Sequence, residues 1–160
     1  MTRVVLSIGS NVGDRAAHLH TAVAEFADVL VAVSPVYETP PWGDVPQEPY
    51  LNAVLVVVGD LTPMEWLARA HRVEAAASRK RDVHWGPRTL DVDIVHIDGL
   101  VSVDPELRLP HPFAHERAFV LLPWLDVDPA AELSGRPVAD WLSTVDSGGI
   151  RRRDDVVVRQ

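Results

Sequence analysis

The chain contains no cysteine among its 160 residues. This absence excludes disulfide bonds, zinc sites built on thiolates and cysteine nucleophiles. Long apolar runs are also missing at the N-terminus. There, MTRVVLSIGSN holds only about five apolar residues before polar ones interrupt, too few for a signal-peptide core or a membrane span. We therefore expect a cytoplasmic protein that does not enter a membrane.

Basic residues are scarce, with 15 Lys and Arg against 23 Asp and Glu and a formal net charge of -8. Because nucleic-acid-binding proteins usually present a basic surface to phosphates, we expect no nucleic-acid partner. Six of the 15 basic residues nevertheless fall between residues 69 and 88. A cationic patch on an acidic protein favours a small polyanion as ligand, and a solvated charged loop is the alternative.

The length indicates one domain over residues 1–160, because a chain of this size can bury one core and is too short for two. The composition, 47% hydrophobic and 24% charged, is ordinary for a soluble globular protein and unlike a disordered or fibrous one. No low-complexity tract, internal repeat or linker divides the chain. We therefore treat it as a single domain.

Apolar spacing and capping residues predict two helices. The first begins after the N-cap residue Asp14 and carries apolar side chains at helical spacing. These are Leu19, Val23, Phe26 and Leu30. The second runs from the N-cap Thr62 to Ser78, with Pro63 at the first helical position and Glu65 closing a capping box.

Runs of β-branched residues predict four strands. They cover residues 4–9, 29–39 with a break at Pro35, 51–60 and the segment around Asp91. The order β-α-β-β-α-β predicts an α+β protein with a ferredoxin-like antiparallel sheet, helices packed on one face, and a C-terminal extension. In the extension we expect a short helix at 114–122 and a solvated tail over GGIRRRDDVVVRQ.

Two carboxylates stand out in HWGPRTLDVDIVHI, residues 84–97. Strand side chains alternate, so Asp91 and Asp93 share one face, with Cα atoms about 6 to 7 Å apart. Carboxylates at this spacing suit Mg²⁺, which takes oxygen ligands and keeps water and substrate phosphates in its shell. Arg88 and the basic loop upstream favour this interpretation over ordinary solvent-facing alternation.

Two further groups suggest ligand contacts. Tyr50 and Asn52 share a strand face and could together present a ring and an amide to a flat, hydrogen-bonding molecule. The alternative is that Tyr50 is a core residue and Asn52 begins the strand. His111, held between two prolines, suits a phosphate donor or an ordinary structural histidine.

The motifs together resemble the 6-hydroxymethyl-7,8-dihydropterin pyrophosphokinase family. The strings that carry the resemblance are GSN, TPPWG, YLNAV, GPRTLDVDI and LPHPFAHERAF, in the family's order, over residues 3 to about 125. The resemblance implies a magnesium-dependent transfer of the β,γ-pyrophosphoryl group of ATP to the pterin hydroxymethyl oxygen, with release of AMP. It implies ATP as co-substrate, a role in folate biosynthesis, and two Mg²⁺ ions on Asp91 and Asp93.

The resemblance also implies roles for individual residues. Catalytic roles fall to Arg79, Arg88, Asp91 and Asp93, with Arg79 as the loop arginine that assists transfer. ATP contacts fall to His71, Glu74, Arg79, Arg81, Arg88, Ile94, His111 and Arg117. Pterin contacts fall to Gly9, Thr39, Pro40, Trp42, Tyr50, Asn52, Trp85 and Phe119, with the ring between Tyr50 and Phe119 and Trp85 as a lid.

The sequence departs from the family pattern at several places. The segment between Glu74 and Trp85 is one residue shorter, so individual roles of Arg79 to Arg81 stay open. Pro112 replaces an aromatic residue, and Glu106 stands where a basic residue is common, which puts the ATP affinity in question. We expect a monomer. Rival interpretations are a magnesium-dependent nucleotidyltransferase or phosphohydrolase, and a non-catalytic ferredoxin-like binding module.

Overall fold

The computed structural model describes residues 1–40, 47–78 and 89–158. The strands of the described part are β1 (Thr2–Ser10), β2 (Leu30–Val33), β3 (Tyr37–Thr39), β4 (Tyr50–Gly59), β5 (Asp91–Ile97), β6 (Ser102–Asp104), β7 (Leu107–Leu109), β8 (Glu132–Leu133), β9 (Arg136–Pro137) and β10 (Arg151–Arg152). The helices are α1 (Arg15–Glu25), α2 (Pro63–Ser78), α3 (Ala118–Val127) and α4 (Val138–Leu142). A 3-10 turn covers Ala114–Glu116.

Six strands form one antiparallel sheet in the order β10-β3-β4-β1-β5, with β2 also paired to β4. The predicted antiparallel sheet with helices is therefore confirmed. The strand predicted over 29–39 is two strands, β2 and β3, and the interruption includes Pro35, which has no N–H to donate. Both pieces pair with β4, which lies in the middle of the sheet. The continuous apolar sequence of β4 is typical of a strand buried on both faces.

Helices pack on both faces of the sheet, so the prediction of one covered face is wrong. One core cluster joins α1 and α2 to strand residues such as Leu6 and Leu55. A second cluster joins α3 and α4 to Val5, Val54 and Val95, which point to the opposite face. Strands with apolar residues at successive positions bury both faces, and the second face is covered by helices that come late in the chain.

The helix caps follow the sequence pattern. Asp14 accepts a hydrogen bond from the backbone N–H of Ala17 at 3.1 Å. Thr62 and Glu65 form the predicted reciprocal box, with N···O distances of 2.9 and 3.2 Å. The second helix ends at Ser78 as predicted, whereas α1 ends at Glu25 and Leu30 lies in β2.

The helix predicted over 114–122 is divided at Arg117. Its backbone is extended, with φ -109° and ψ 100°, between the 3-10 turn and α3. The sequence periodicity did not reveal this break. As a result, the Arg117 side chain projects from a junction and not from the middle of a helix.

The described part of the C-terminal tail, residues 148–158, packs against the sheet, which contradicts the predicted solvated end. Arg151 and Arg152 form β10 beside β3, and Val158 is buried in the larger core cluster. The composition of this segment resembles that of a solvated end, but its pairing with β3 places it at the edge of the sheet. Within the described ranges, no helix is long and apolar enough to cross a membrane.

Candidate active site

A cavity of about 500 Å³ lies on the sheet face that also carries α3. The strands contribute Ser7, Gly9, Thr39, Tyr50, Asn52, Asp91 and Asp93 to its lining. The segment around the start of α3 contributes Phe113, Glu116, Arg117 and Phe119. Eight residues predicted to bind metal, phosphate or pterin therefore meet in one cavity: Gly9, Thr39, Tyr50, Asn52, Asp91, Asp93, Arg117 and Phe119.

Strand register explains how residues distant in sequence meet. Gly9 lies opposite Asn52 on β4 and opposite Asp91 on β5, so these three form one row across the sheet. In an adjacent row Ser7 lies opposite Asp93. Residues paired across antiparallel strands point to the same face, and alternation along each strand keeps both rows on the cavity side.

Gly9 brings the cavity floor close to the Asn52 side chain. A Cβ atom on Gly9 would lie 2.9 Å from Asn52 Oδ1, so no larger residue fits without displacing the amide. Asn52 is itself buried, and its Nδ2 donates to Thr39 Oγ1 at 2.7 Å. This bond orients the carboxamide across the floor.

Asp91 and Asp93 are both partly buried and face the cavity. Between them, the backbone N–H of Val92 donates to Glu74 Oε2 at 3.0 Å, which ties β5 to α2. Two carboxylates on one side of a cavity of this size fit a magnesium site completed by water and phosphate oxygens. Across residues 1–40, 47–78 and 89–158 no group of three or more His, Cys, Asp or Glu side chains is arranged to hold a metal.

Arg117 supplies positive charge to the cavity. Its guanidinium carbon lies 5.6 Å from the centre of the Phe113 ring and 5.5 Å from that of Phe119. These distances are typical of cation–π contacts. The two rings therefore hold the guanidinium at the cavity wall, where it can meet an anionic ligand.

A second cavity of about 510 Å³ lies beside the edge strand β5. It collects four residues predicted to bind ATP, namely His71, Glu74, Ile94 and His111. Its other lining residues are Leu67, Val92, Asp93, Pro105, Glu106, Leu107, Arg108, Pro112 and Phe113. Asp93 and Phe113 line both cavities, so the two spaces adjoin at these two residues.

His111 is held at the edge of β5 by two backbone contacts. Its N–H donates to Val95 O at 2.8 Å, and its Nδ1 accepts from the Phe113 N–H at 3.2 Å. Burial lowers the pKa of His111, the charge of Asp93 opposes this, and the charge of Arg117 adds to the lowering. With Nδ1 occupied as an acceptor, the neutral ring carries its proton on Nε2 as a hydrogen-bond donor.

Several residues of the site were missed by the sequence reasoning. Ser7 could have been found, because it lies two positions before Gly9 on the same strand face. Arg108 lines the second cavity together with Glu106, so a basic residue two positions later supplies the charge that the sequence lacks at 106. Phe113 and Glu116 lie within the LPHPFAHERAF string, but no role was predicted for either, and the fold brings both to the cavity.

Some predicted residues are not brought together by the described structure. Pro40 follows Thr39 but is absent from the lining of both cavities. The predictions for Trp42, Arg79, Arg81, Trp85 and Arg88 lie outside the described residues. Their roles stay predictions.

Comparison with known families defines the class of protein: the chain belongs to the 7,8-dihydro-6-hydroxymethylpterin-pyrophosphokinase (HPPK) family, whose model matches residues 5–129. Among particular relatives, the 2-amino-4-hydroxy-6-hydroxymethyldihydropteridine pyrophosphokinase of Mycobacterium tuberculosis H37Rv is 49% identical over 161 residues, covering 91% of this chain and 85% of the relative. The protein of the same name from Methylorubrum extorquens is 42% identical, covering 95% and 99%.

Solved structures agree at the level of the fold. Wild-type Plasmodium falciparum HPPK-DHPS with SDX-DHP superposes with a TM-score of 0.70 at 13% identity, covering 89% of this chain. This chain spans 44% of that longer protein. The likeness shows a shared fold, and the family assignment rests on the closer sequence relatives.

Proposed function

We propose that this protein transfers the β,γ-pyrophosphoryl group of ATP to the hydroxymethyl oxygen of 6-hydroxymethyl-7,8-dihydropterin, releasing AMP, as a step of folate biosynthesis. One observation carries the proposal: Asp93 lines both a ring-sized cavity with an amide floor, which Asp91 also lines, and a second cavity that contains Arg108 and His111. Membership of the pyrophosphokinase family supports it.

The first cavity suits the pterin. Tyr50 and Phe119 offer aromatic faces for a flat ring, and the Asn52 carboxamide can pair with its polar edge. Gly9 leaves room for the ring to approach the backbone. Because Asn52 is buried and oriented by Thr39, a ligand lacking the matching polar edge would leave the amide unpaired, which gives the site specificity.

The second cavity suits the nucleotide. His71 and Glu74 lie on α2 with Ile94 close by for the adenosine, and Arg108 and His111 offer positive charge and an N–H donor to the phosphates. The triphosphate would then extend toward Asp93, the residue common to both cavities. Arg117 faces the same junction from the side of the first cavity.

Asp91 and Asp93 are the residues that would hold magnesium, and we propose two ions. When bound, magnesium supplies charge neutralisation to the triphosphate and orients it. The chain's own contribution is positioning: the sheet holds the acceptor and the α2 side holds the donor. Such positioning can account for much of the acceleration of a transfer between two bound substrates.

In the reaction the hydroxymethyl oxygen forms a bond to the β-phosphorus of ATP. The bond from the β-phosphorus to the oxygen bridging it to the α-phosphorus breaks, and that oxygen leaves with AMP. The hydroxyl proton passes to solvent. Arg117 and the Nε2–H of His111 face the phosphates and stabilise the charge that spreads over their oxygens.

We further propose a ferredoxin-like core, a single functional domain over residues 1–160, a monomeric state and a cytoplasmic location. The order β5-β1-β4-β3 with α1 and α2 on one face supports the first of these. The elements after β5 form the extension. They cover the second face and complete the cavity.

The decisive test is an assay of AMP formation with ATP, Mg²⁺ and 6-hydroxymethyl-7,8-dihydropterin. We expect AMP and the pterin diphosphate in equal amounts, and neither when the pterin is omitted. Release of ADP, or of free pyrophosphate in place of the pterin diphosphate, would favour the phosphohydrolase or nucleotidyltransferase and contradict the proposal.

A further inference from the structure

The C-terminal tail, residues 148–158, lies beyond the family match at 5–129 and packs beside the cavity wall. We propose that this tail is a positioning element for the acceptor pocket, acting through an ion cluster on Glu38 that holds β3 and the start of β4 in place. The inference rests on the proposed function only for the identity of the acceptor, a pterin.

Strand β10 extends the sheet at β3. Arg151 lies opposite Glu38 and Arg152 opposite Tyr37, and the Arg153 N–H donates to Val36 O at 2.8 Å. Alternation places Arg151 and Arg153 on the face of Glu38. The tail therefore brings two arginines to one carboxylate through backbone pairing.

Glu38 is the centre of this cluster. Its carboxylate, with a side chain only 16% exposed, accepts from Arg153 Nη1 at 2.6 Å and from Arg151 Nη2 at 2.9 Å. Arg15 Nη1, at the start of α1, lies 3.5 Å from the same carboxylate. Three cations around one shielded carboxylate form a network and not an isolated surface pair.

Arg15 extends the network to the chain entering β4. Its Nη1 donates to Pro49 O at 2.8 Å, one residue before Tyr50 of the cavity lining. Glu38 itself directly precedes Thr39, which also lines the cavity. The cluster thus joins the tail to the chain segments next to Thr39 and Tyr50 of the cavity lining.

The tail also packs against Pro40. Gly149 has φ +81°, and a Cβ atom there would lie 2.8 Å from Pro40 Cγ, so the turn before β10 rests directly on the residue after Thr39. On the opposite face of β3, Tyr37 donates to the Asp126 carboxylate of α3. Strand β3 is therefore held by the tail on one side and by α3 on the other.

A shift of β3 would reach the ligand through Asn52. The Asn52 amide donates to Thr39 Oγ1, and Tyr37 lies opposite Asn52 in the sheet. Loosening β3 would release the orientation of this amide, which faces the pterin. No such path leads to the second cavity, whose described lining comes from α2, β5 and the segment 105–113. The tail should therefore affect acceptor binding selectively.

The test compares Glu38→Gln and Arg153→Gln with the control Asp28→Asn. The control substitution also neutralises a carboxylate that is paired with an arginine, Arg69. Asp28 itself lines neither cavity. Each KM is measured with the other substrate saturating, below the melting temperature of every variant. We expect the pterin KM to rise about three- to tenfold in the two test variants, with the ATP KM and kcat changing by less than about twofold.

Arg153→Lys is the conservative variant, and its retained charge should keep the pterin KM near that of the wild type. Hydrogen exchange without substrate gives an independent measurement: amides of β3 and of residues 50–52 should exchange faster in Glu38→Gln and unchanged in Asp28→Asn. Equal increases in both KM values, or unchanged KM and exchange, would overturn the inference. If the wild-type protein forms no AMP, the proposed function is refuted instead. Hydrogen exchange of β3 and of residues 50–52 would then be the measurement that tests whether the tail holds β3.

Discussion

Gly9 and Asn52 face each other across β1 and β4 so closely that a Cβ atom on Gly9 would lie 2.9 Å from Asn52 Oδ1. The absence of a Cβ atom at Gly9 thus leaves room for the buried Asn52 amide at the cavity floor. Neither residue is notable alone. Their pairing produces a polar surface that a planar ligand can approach.

Gly9→Ala should weaken pterin binding. The added methyl group would displace the Asn52 amide from Thr39, because the backbone of both strands is held by the sheet. We expect the pterin KM to rise about tenfold or more, with the ATP KM little changed. Steady-state kinetics with each substrate varied in turn would check this, and a normal pterin KM would contradict the proposed role of Asn52.

Asp91→Asn and Asp93→Asn should each lower kcat by about three orders of magnitude or more, because each removes a charge that magnesium binding needs. The far-UV circular dichroism and melting temperature should stay close to wild type, since both side chains face a cavity. Chelation of Mg²⁺ from the wild type should abolish turnover, and returning Mg²⁺ should restore it.

A variant that keeps substantial turnover would argue for the non-catalytic binding module. Asp98→Asn is a suitable control, because Asp98 follows the end of β5, is exposed and lines neither cavity. Its kinetics should match those of the wild type.

Arg108→Gln should selectively weaken ATP binding. Arg108 supplies positive charge to the second cavity beside Glu106, and a lost phosphate contact of this kind costs about 1.5 to 3 kcal/mol, or roughly ten- to a hundredfold in KM. Arg136→Gln, which removes an arginine stacked on Trp141 away from both cavities, is the matched control. A raised pterin KM in Arg108→Gln, with a normal ATP KM, would contradict the assignment of the two cavities.

The Glu38 cluster should make stability depend on pH. Burial alone would raise the pKa of Glu38, but the hydrogen bond from Arg151 and the charges of Arg153, Arg151 and Arg15 outweigh it and lower the pKa from its ordinary value of 4.5. Its stabilising contribution is therefore complete above about pH 4.5 and is lost as the pH falls through the lowered pKa.

Urea unfolding of the wild type and Glu38→Gln at a series of pH values would test this. We expect the wild type to be more stable at pH 7 by about 1 to 2 kcal/mol, and the difference to shrink below about pH 4.5. A difference that does not depend on pH would show that the charge of Glu38 is not what holds the tail.

Much of the molecule follows from local sequence rules. Asp14 and the Thr62–Glu65 box determine where α1 and α2 begin, because short polar side chains satisfy free N–H groups at helix starts. Alternation along β5 places Asp91 and Asp93 on one face. The motif strings also indicate the family from the sequence alone.

Other features were decided only by tertiary structure. The sequence did not indicate that α3 and α4 cover the second face, that Arg117 interrupts a helix, or that the tail pairs with β3. Each depends on contacts between residues far apart in the chain. Local propensity reflects only neighbouring residues, so it does not predict such contacts. The sequence thus determined the elements and the chemical groups, whereas strand register and long-range pairing determined which groups share a cavity and what holds its wall.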